Sequence, residues 1–505
     1  MCLVFSQKTS ITLQPIAINS SHSGKTKHKI KMKNYTLNVI ILLASAIVLS
    51  TTSCKTVTEE KITPNIEVKE KSALQKLYES SANGKATIFV GDTTIPYKEL
   101  RLHEAPSNVN IENLKNAKGE LRIIAVGGGM CSGARNFGLY RNAQLTAFPN
   151  LIARQIKIEF KQPLFGEKEF NGYGYKAFSR TTNGVPKYNV VKNDIALLKS
   201  SPIIELNPYQ GEIDNWAIPF TALYGLRFNR ELAQYNSLDN AYKTRILLNT
   251  KSKQGENNIE YNILNQRFDF FIMESGLDSY IISFLANGLA TVGSTNGNLS
   301  EPPYIKIMEY ARKIGAKGAI ANIPDITDFP FVNFVLPKDI RKVNQSEIYV
   351  KSNSYSSSKQ IETVADGCIF VPNALADSLM NLKIPVSEKR GLSPSKPLDR
   401  EDVYMLDRLK ITLASLSENN QTNIPYWAKA NNYPIVDLYT LFKNVAKGTI
   451  SEDGTRVNKA NFFSSDGIFP SAFGQAIIAN EYIKTINSYY KTNIPLIKTA
   501  YYLDK

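Results

Sequence analysis

The chain has 505 residues, with 60 Lys and Arg against 45 Asp and Glu for a formal charge of +15, but only 4 Cys and 3 His. So few cysteines exclude a disulfide-built scaffold, and no Cys/His spacing suits a structural zinc site, so neither a metal nor a cofactor is expected. The cations form no dense stripe with interleaved aromatics, which argues against a nucleic-acid partner.

Residues 1–53 read as an address rather than as fold. Leu37 to Leu49 is a mostly apolar run preceded by Lys29, Lys31 and Lys33, too short for a comfortable membrane span and suited to the h-region of a signal peptide. It ends in Leu49-Ser50-Thr51-Thr52-Ser53-Cys54, which resembles a bacterial lipoprotein cleavage site and would make Cys54 the lipid anchor. An ordinary signal peptide or a single-span anchor is the alternative. Met32-Lys33-Asn34 would make a compact start for such a segment. These 53 residues hold six lysines and no acid, so the +15 falls to +9 from Cys54 onward. Residues 54–71 then read as a tether rich in Thr, Lys and Glu, and Glu59-Glu60 beside the anchor suggests the outer leaflet.

From residue 72 to 505 the pattern is that of one α/β domain. The apolar run Ile123-Ile124-Ala125-Val126 stops at Gly127-Gly128-Gly129, which predicts a strand, a tight turn and a helix. Residues from about 160 to 265, rich in Asn, Tyr and Gly, read as an irregular insertion. A helix is expected over Pro303–Ile314 and a strand over Ala319–Ile323, separated by a turn carrying Gly315 and Gly318. Asp399 and Asp402 are expected to open a helix with Val403, Leu406, Leu409, Leu413 and Leu416 on one face. Pro434 to Leu438 reads as a buried strand. Ser471–Tyr490 reads as a helix whose Ala472, Ala476, Ala479, Ile483, Ile486 and Tyr490 stripe is core. Strands alternating with helices imply a mainly parallel sheet covered on both faces. Cys131 and Cys368 are either a disulfide or two buried thiols. Once residues 1–53 are set aside, His103 is the one histidine left for acid–base work.

Four blocks resemble the GDSL/SGNH hydrolase family, closest to its large bacterial lipoprotein members, over about residues 121–497. The first is Ala125-Val126-Gly127-Gly128-Gly129, with Gly138-Leu139-Tyr140-Arg141 and Gln144 to Asn150 downstream; the others are Asn215-Trp216-Ala217-Ile218-Pro219-Phe220, Ile282 to Leu289, and Ser465-Asp466-Gly467-Ile468-Phe469-Pro470-Ser471. The resemblance implies a flavodoxin-like, three-layer SGNH fold. It also places the family serine on Gly129, the oxyanion-hole glycine on Phe220, the oxyanion asparagine on Gly288 with the aspartate on Leu289, and the catalytic histidine on Phe469. A one-residue slip would put Asn287 at the oxyanion position. Asp466 is retained. Ser, His and Asp act as a unit, so losing the nucleophile removes most of the rate.

The expectation is therefore a catalytically degenerate hydrolase. Phe220 and Phe469 would fill the old cleft, and Asp466 would cap the last helix or hold backbone N–H groups. Such a chain would be a binding or assembly module at the outer membrane, held there by its lipid anchor, with a protein complex or a glycan as partner. The alternative is an active esterase or carbohydrate esterase, for which a rewired Cys131–His103 dyad is the available chemistry. Asn193-Asp194 resembles the end of an active-site block but lacks the strand before it, and no carboxylate pair suited to glycosidase chemistry is visible.

Overall fold

The computed structural model describes residues 109–115, 119, 121–199, 205–220, 238–247, 258–287, 303–352 and 360–503. Four short apolar segments form a parallel sheet: β1 (Ile123–Val126), β2 (Phe270–Met273), β3 (Lys317–Ala321) and β4 (Ile435–Val436), in that spatial order. Ile123 pairs with Phe270, Phe270 with Lys317, and Ile435 with Ile320. All four residues of β1 and of β2 are buried, the continuous apolar pattern of strands covered on both faces.

On the free side of β1, Asn215 makes a parallel bridge to Ala125. The Ala125 N–H donates to Asp214 O at 2.8 Å and the Trp216 N–H to Ala125 O at 2.8 Å. Counting that segment, the strands lie in chain order 2-1-3-4-5. The order reverses beside β1, and such a reversal leaves a crevice at the carboxyl ends of the strands.

The principal helices are α1 (Phe148–Ile156), α2 (Leu277–Leu285), α3 (Pro303–Lys313), α4 (Leu406–Glu418), α5 (Ile424–Asn431), α6 (Leu438–Lys447) and α7 (Ala472–Tyr490). Neighbouring strand residues point to opposite faces, so the two phenylalanines that open β2 report both layers. The Phe270 ring meets Tyr490 of α7 at 5.7 Å, while the Phe271 ring meets Tyr433, just beyond α5, at 4.7 Å. Ser471 caps α7 by accepting the Gly474 N–H at 3.0 Å. Ala476, Ala479, Ile483 and Ile486 of the expected stripe are buried, but so are Phe473, Ile477, Ile478 and Tyr482, so the first half of α7 is enclosed on more than one face.

Several element boundaries shift from expectation, each for a tertiary reason. The strand expected over residues 319–323 runs from Lys317 to Ala321 because its register is set by β2; Ile323 has left the sheet to exchange both backbone hydrogen bonds with the Asn420 amide, at 2.9 and 2.8 Å. Asp399 and Asp402 do form a capping box, but on a single 3-10 turn. Val403 is extended, Tyr404 pairs with Ile369, and α4 starts only at Leu406. Asp437 ends β4 by capping α6, accepting the Thr440 N–H at 3.0 Å.

Within residues 160–265 the described elements are a hairpin of Tyr175–Arg180 and Pro186–Val191, a short pair of Leu197–Lys199 and Glu205–Leu206, and the helices Leu238–Leu247 and Ile259–Leu264. Cys131 and Cys368 are separate, buried free thiols. No described helix is long and apolar enough to cross a membrane.

Candidate functional site

The strand-order reversal places the carboxyl ends of β1 and β2 side by side. At the end of β1 the chain turns through Gly127, Gly128 and Gly129 into a one-turn helix, Gly129–Ser132. The turn requires three glycines because three side chains press on it. A Cβ on Gly127 would lie 2.8 Å from Glu274 Cβ, one on Gly128 2.5 Å from Asp278 Cγ, and one on Gly129 2.6 Å from Phe469 Cζ.

Two of those side chains are buried carboxylates. Glu274 follows β2 directly and accepts the Gly128 N–H at 2.8 Å and the Leu277 N–H at 2.9 Å. Asp278, in the first turn of α2, accepts the Gly129 N–H at 2.8 Å. Burial pushes the Glu274 carboxyl up despite its N–H donors. The backbone donors of this turn, which could face an oxyanion, are thus taken by the protein's own carboxylates.

The third side chain is Phe469, which is fully buried and covers Gly129. Phe220 meets it edge to face, ring centroids 5.2 Å apart, and holds its own backbone at φ +55. Asp466 sits beside them with both oxygens occupied. Its Oδ1 accepts the N–H groups of Ile468 at 2.8 Å and Phe469 at 2.9 Å, and its Oδ2 accepts that of Phe137 at 2.9 Å. Burial raises the Asp466 carboxyl, and those three N–H donors oppose the rise. The cap of α7 belongs to Ser471, so Asp466 serves the turn and not the helix.

The third block needs correction. Ile282–Leu285 are the end of α2, not a strand, and the segment that follows a strand is Glu274–Gly276. Asn287 donates its amide to Glu401 O at 2.8 Å, away from the glycine turn. Gly288, Leu289, His103 and Cys54 lie outside the described residues. Glu274 and Asp278 escaped the sequence reading. The signal was present in the apolar run Phe270-Phe271-Ile272-Met273 broken by Glu274-Ser275-Gly276, a second strand–turn–helix like that at Gly127.

Cys131 is fully buried inside the one-turn helix. Burial, then the nearby Glu274 and Asp278, pushes its thiol well above the ordinary range, which disfavours the thiolate a nucleophile requires. Native protein treated with iodoacetamide at pH 8 should therefore leave Cys131 unmodified, while protein in guanidinium is alkylated fully. Peptide mass spectrometry reads the difference, and rapid native alkylation would restore Cys131 as a candidate nucleophile. Among the described residues, no group of three His, Cys, Asp or Glu side chains gathers as a metal ion would need. Comparison of the chain with protein-family models, with curated proteins and with solved structures found no match.

Proposed function

We propose that this chain is a lipid-anchored, SGNH-fold protein that has lost hydrolysis and acts as a binding or assembly module at the bacterial outer membrane. One observation carries the reading: Gly129, where the family serine falls, gives its N–H to Asp278 and lies beneath Phe469. With the third block moved to follow β2, the family pattern G-N-N-D lies over Gly276-Leu277-Asp278-Ser279. The asparagine that would donate to an oxyanion becomes Asp278, which accepts. An oxyanion hole works by aiming N–H groups at developing negative charge, each worth about 3–4 kcal/mol. A carboxylate in that place opposes the same charge. The strand order and the glycine turn support the fold assignment; the apolar run before Cys54 supports the anchor.

The test is an assay of purified protein from residue 55 onward on p-nitrophenyl acetate and on acetylated sugars. No turnover above buffer is expected. Saturable turnover that vanishes in Cys131→Ala would overturn the proposal in favour of a rewired esterase.

A further inference from the structure

In a parallel sheet each helix carries the chain back to the amino edge before the next strand begins. That edge is therefore where helices end, and here it is where exposed cations collect. Lys157 follows α1, Arg312 and Lys313 close α3, Lys429 lies in the last turn of α5, and Lys491 follows α7. Arg267 lies just before β2, and all six are exposed. None of the six forms a salt bridge with a described residue, whereas Glu112, Glu212 and Asp214 at the same edge are tied to Lys115, Lys161 and Arg122. The exposed acids among them are Glu112, Glu159, Glu212 and Glu309, of which the first and third are already paired. At the carboxyl edge Glu274, Asp278 and Asp466 are buried, and Asp325 is paired with Lys443.

Complementing helix dipoles explains cations at helix ends one by one. It does not explain two further features of the same edge. First, residues 110–113 are fastened there. The Asn110 N–H donates to Asn493 Oδ1 at 2.6 Å, Asn113 Nδ2 donates to Tyr490 O at 2.9 Å, and Lys317 at the start of β3 donates to Asn113 O. Second, an open cleft of about 470 Å³ lies beside that segment, lined by Pro434, Lys484, Thr485, Ser488, Tyr489 and Lys491, with Lys484 paired to Glu452 and Glu481. Tyr489 is 42 % exposed, with its hydroxyl tied to Asn432 Oδ1 at 2.7 Å and its ring edge open at the surface.

We infer that the amino edge of the sheet is a membrane-facing surface that docks on anionic phospholipid headgroups, turning the carboxyl edge and its glycine turn away from the bilayer. This rests on the reading that an N-terminal anchor holds the chain at a membrane, where exposed cations meet anionic headgroups.

The test separates the surface from the anchor. The chain from residue 54 with Cys54→Ala carries no acyl group and keeps the whole described core, which begins at Leu114. Its sedimentation is measured with vesicles of phosphatidylcholine alone and of phosphatidylcholine with phosphatidylglycerol, at rising sodium chloride. Binding is expected only to the anionic vesicles and should fade with salt. Lys157→Gln, Lys313→Gln and Lys491→Gln together should weaken it about 100-fold, since each cation near the surface contributes about five-fold. The matching Glu triple should lose more, with both triples folded by circular dichroism.

No preference for anionic vesicles, in a protein whose Cys54 takes up labelled palmitate in cells, overturns this inference and leaves the anchor standing. Anionic binding without label on Cys54 keeps the surface and removes the anchor. Retention on heparin without vesicle binding assigns the surface to an acidic polymer and also overturns the inference.

Discussion

Asp466→Ala is expected to cost roughly 3–5 kcal/mol of folding stability. The carboxylate is fully buried and accepts three backbone N–H groups, from Phe137, Ile468 and Phe469. Alanine leaves all three donors in a site with no room for bulk water. The first of them belongs to a strained turn. Asn136 and Phe137 both hold positive φ, 55 and 51, between Arg135 and Gly138, whose N–H and C=O groups pair in both directions at 2.9 Å. A two-residue turn of that geometry suits Asn and Gly, and a phenylalanine there costs about 1–3 kcal/mol. Asp466 offsets that strain from one side, and the Ser464 hydroxyl, accepting the Asn136 N–H at 3.1 Å, from another.

Asp466→Asn should recover part of the loss. One amide oxygen can still accept from Ile468 and Phe469, but the amide nitrogen then faces the Phe137 N–H, donor against donor. The urea midpoint at unchanged m-value measures both variants, and a midpoint within error of wild type for alanine would refute the role. The pH dependence has a definite sign. The folded pKa of Asp466 is raised by burial, so its titration favours the folded state most below the ordinary carboxylate range. That contribution is lost as pH climbs through the raised value. The gap between wild type and Asp466→Ala should therefore be widest in acid and narrow toward neutrality.

Local pattern carried some of this architecture and none of its long-range pairing. Ile123–Val126 stopping at three glycines, and the alanine and isoleucine spacing of α7, are visible in the chain because one strand or helix produces each by itself. Val403 sits at helical spacing from Leu406 and yet is extended, because Tyr404 pairs with Ile369, 35 positions earlier. Nothing near Val403 could announce that. Glu274 and Asp278 share the difficulty. Read locally, they are an acid in a turn and an acid in the first turn of a helix, a common place for one. Only the parallel register of β1 with β2 turns them into partners for Gly128 and Gly129 nearly 150 residues away. Phe220 and Phe469 were legible as large residues in small places. Their edge-to-face contact follows from the fold, in which residues 214–218 flank β1 while the turn at Asp466 reaches over it.

On the proposed reading, a serine placed at residue 129 should hydrolyse nothing. Gly129→Ser places a Cβ 2.6 Å from Phe469 Cζ and 3.2 Å from Ala134 Cβ, with every side of the site buried. Overpacking of this kind costs about 1–3 kcal/mol, so the single variant should unfold earlier and hydrolyse no ester. Gly129→Ser with Phe469→His shortens the ring that presses on residue 129 and, on the proposed reading, places a serine and a histidine beside Asp466. Ester turnover is still expected to be absent. Asp278 keeps the residue 129 N–H, and its charge opposes the oxyanion that a serine attack would create. Adding Asp278→Asn converts that acceptor into a side-chain donor. Of the three variants this triple is the one expected to show turnover, at a rate limited by Phe220 on the other side of the site. The comparison is made by single-turnover release of p-nitrophenol, with each variant's urea midpoint measured alongside so that an unfolded protein is not scored as an inactive one. Turnover in the double variant equal to that in the triple would mean that Asp278 does not close the site. The barrier to hydrolysis would then lie only in the two substituted side chains, not in the carboxylate that occupies the backbone donor.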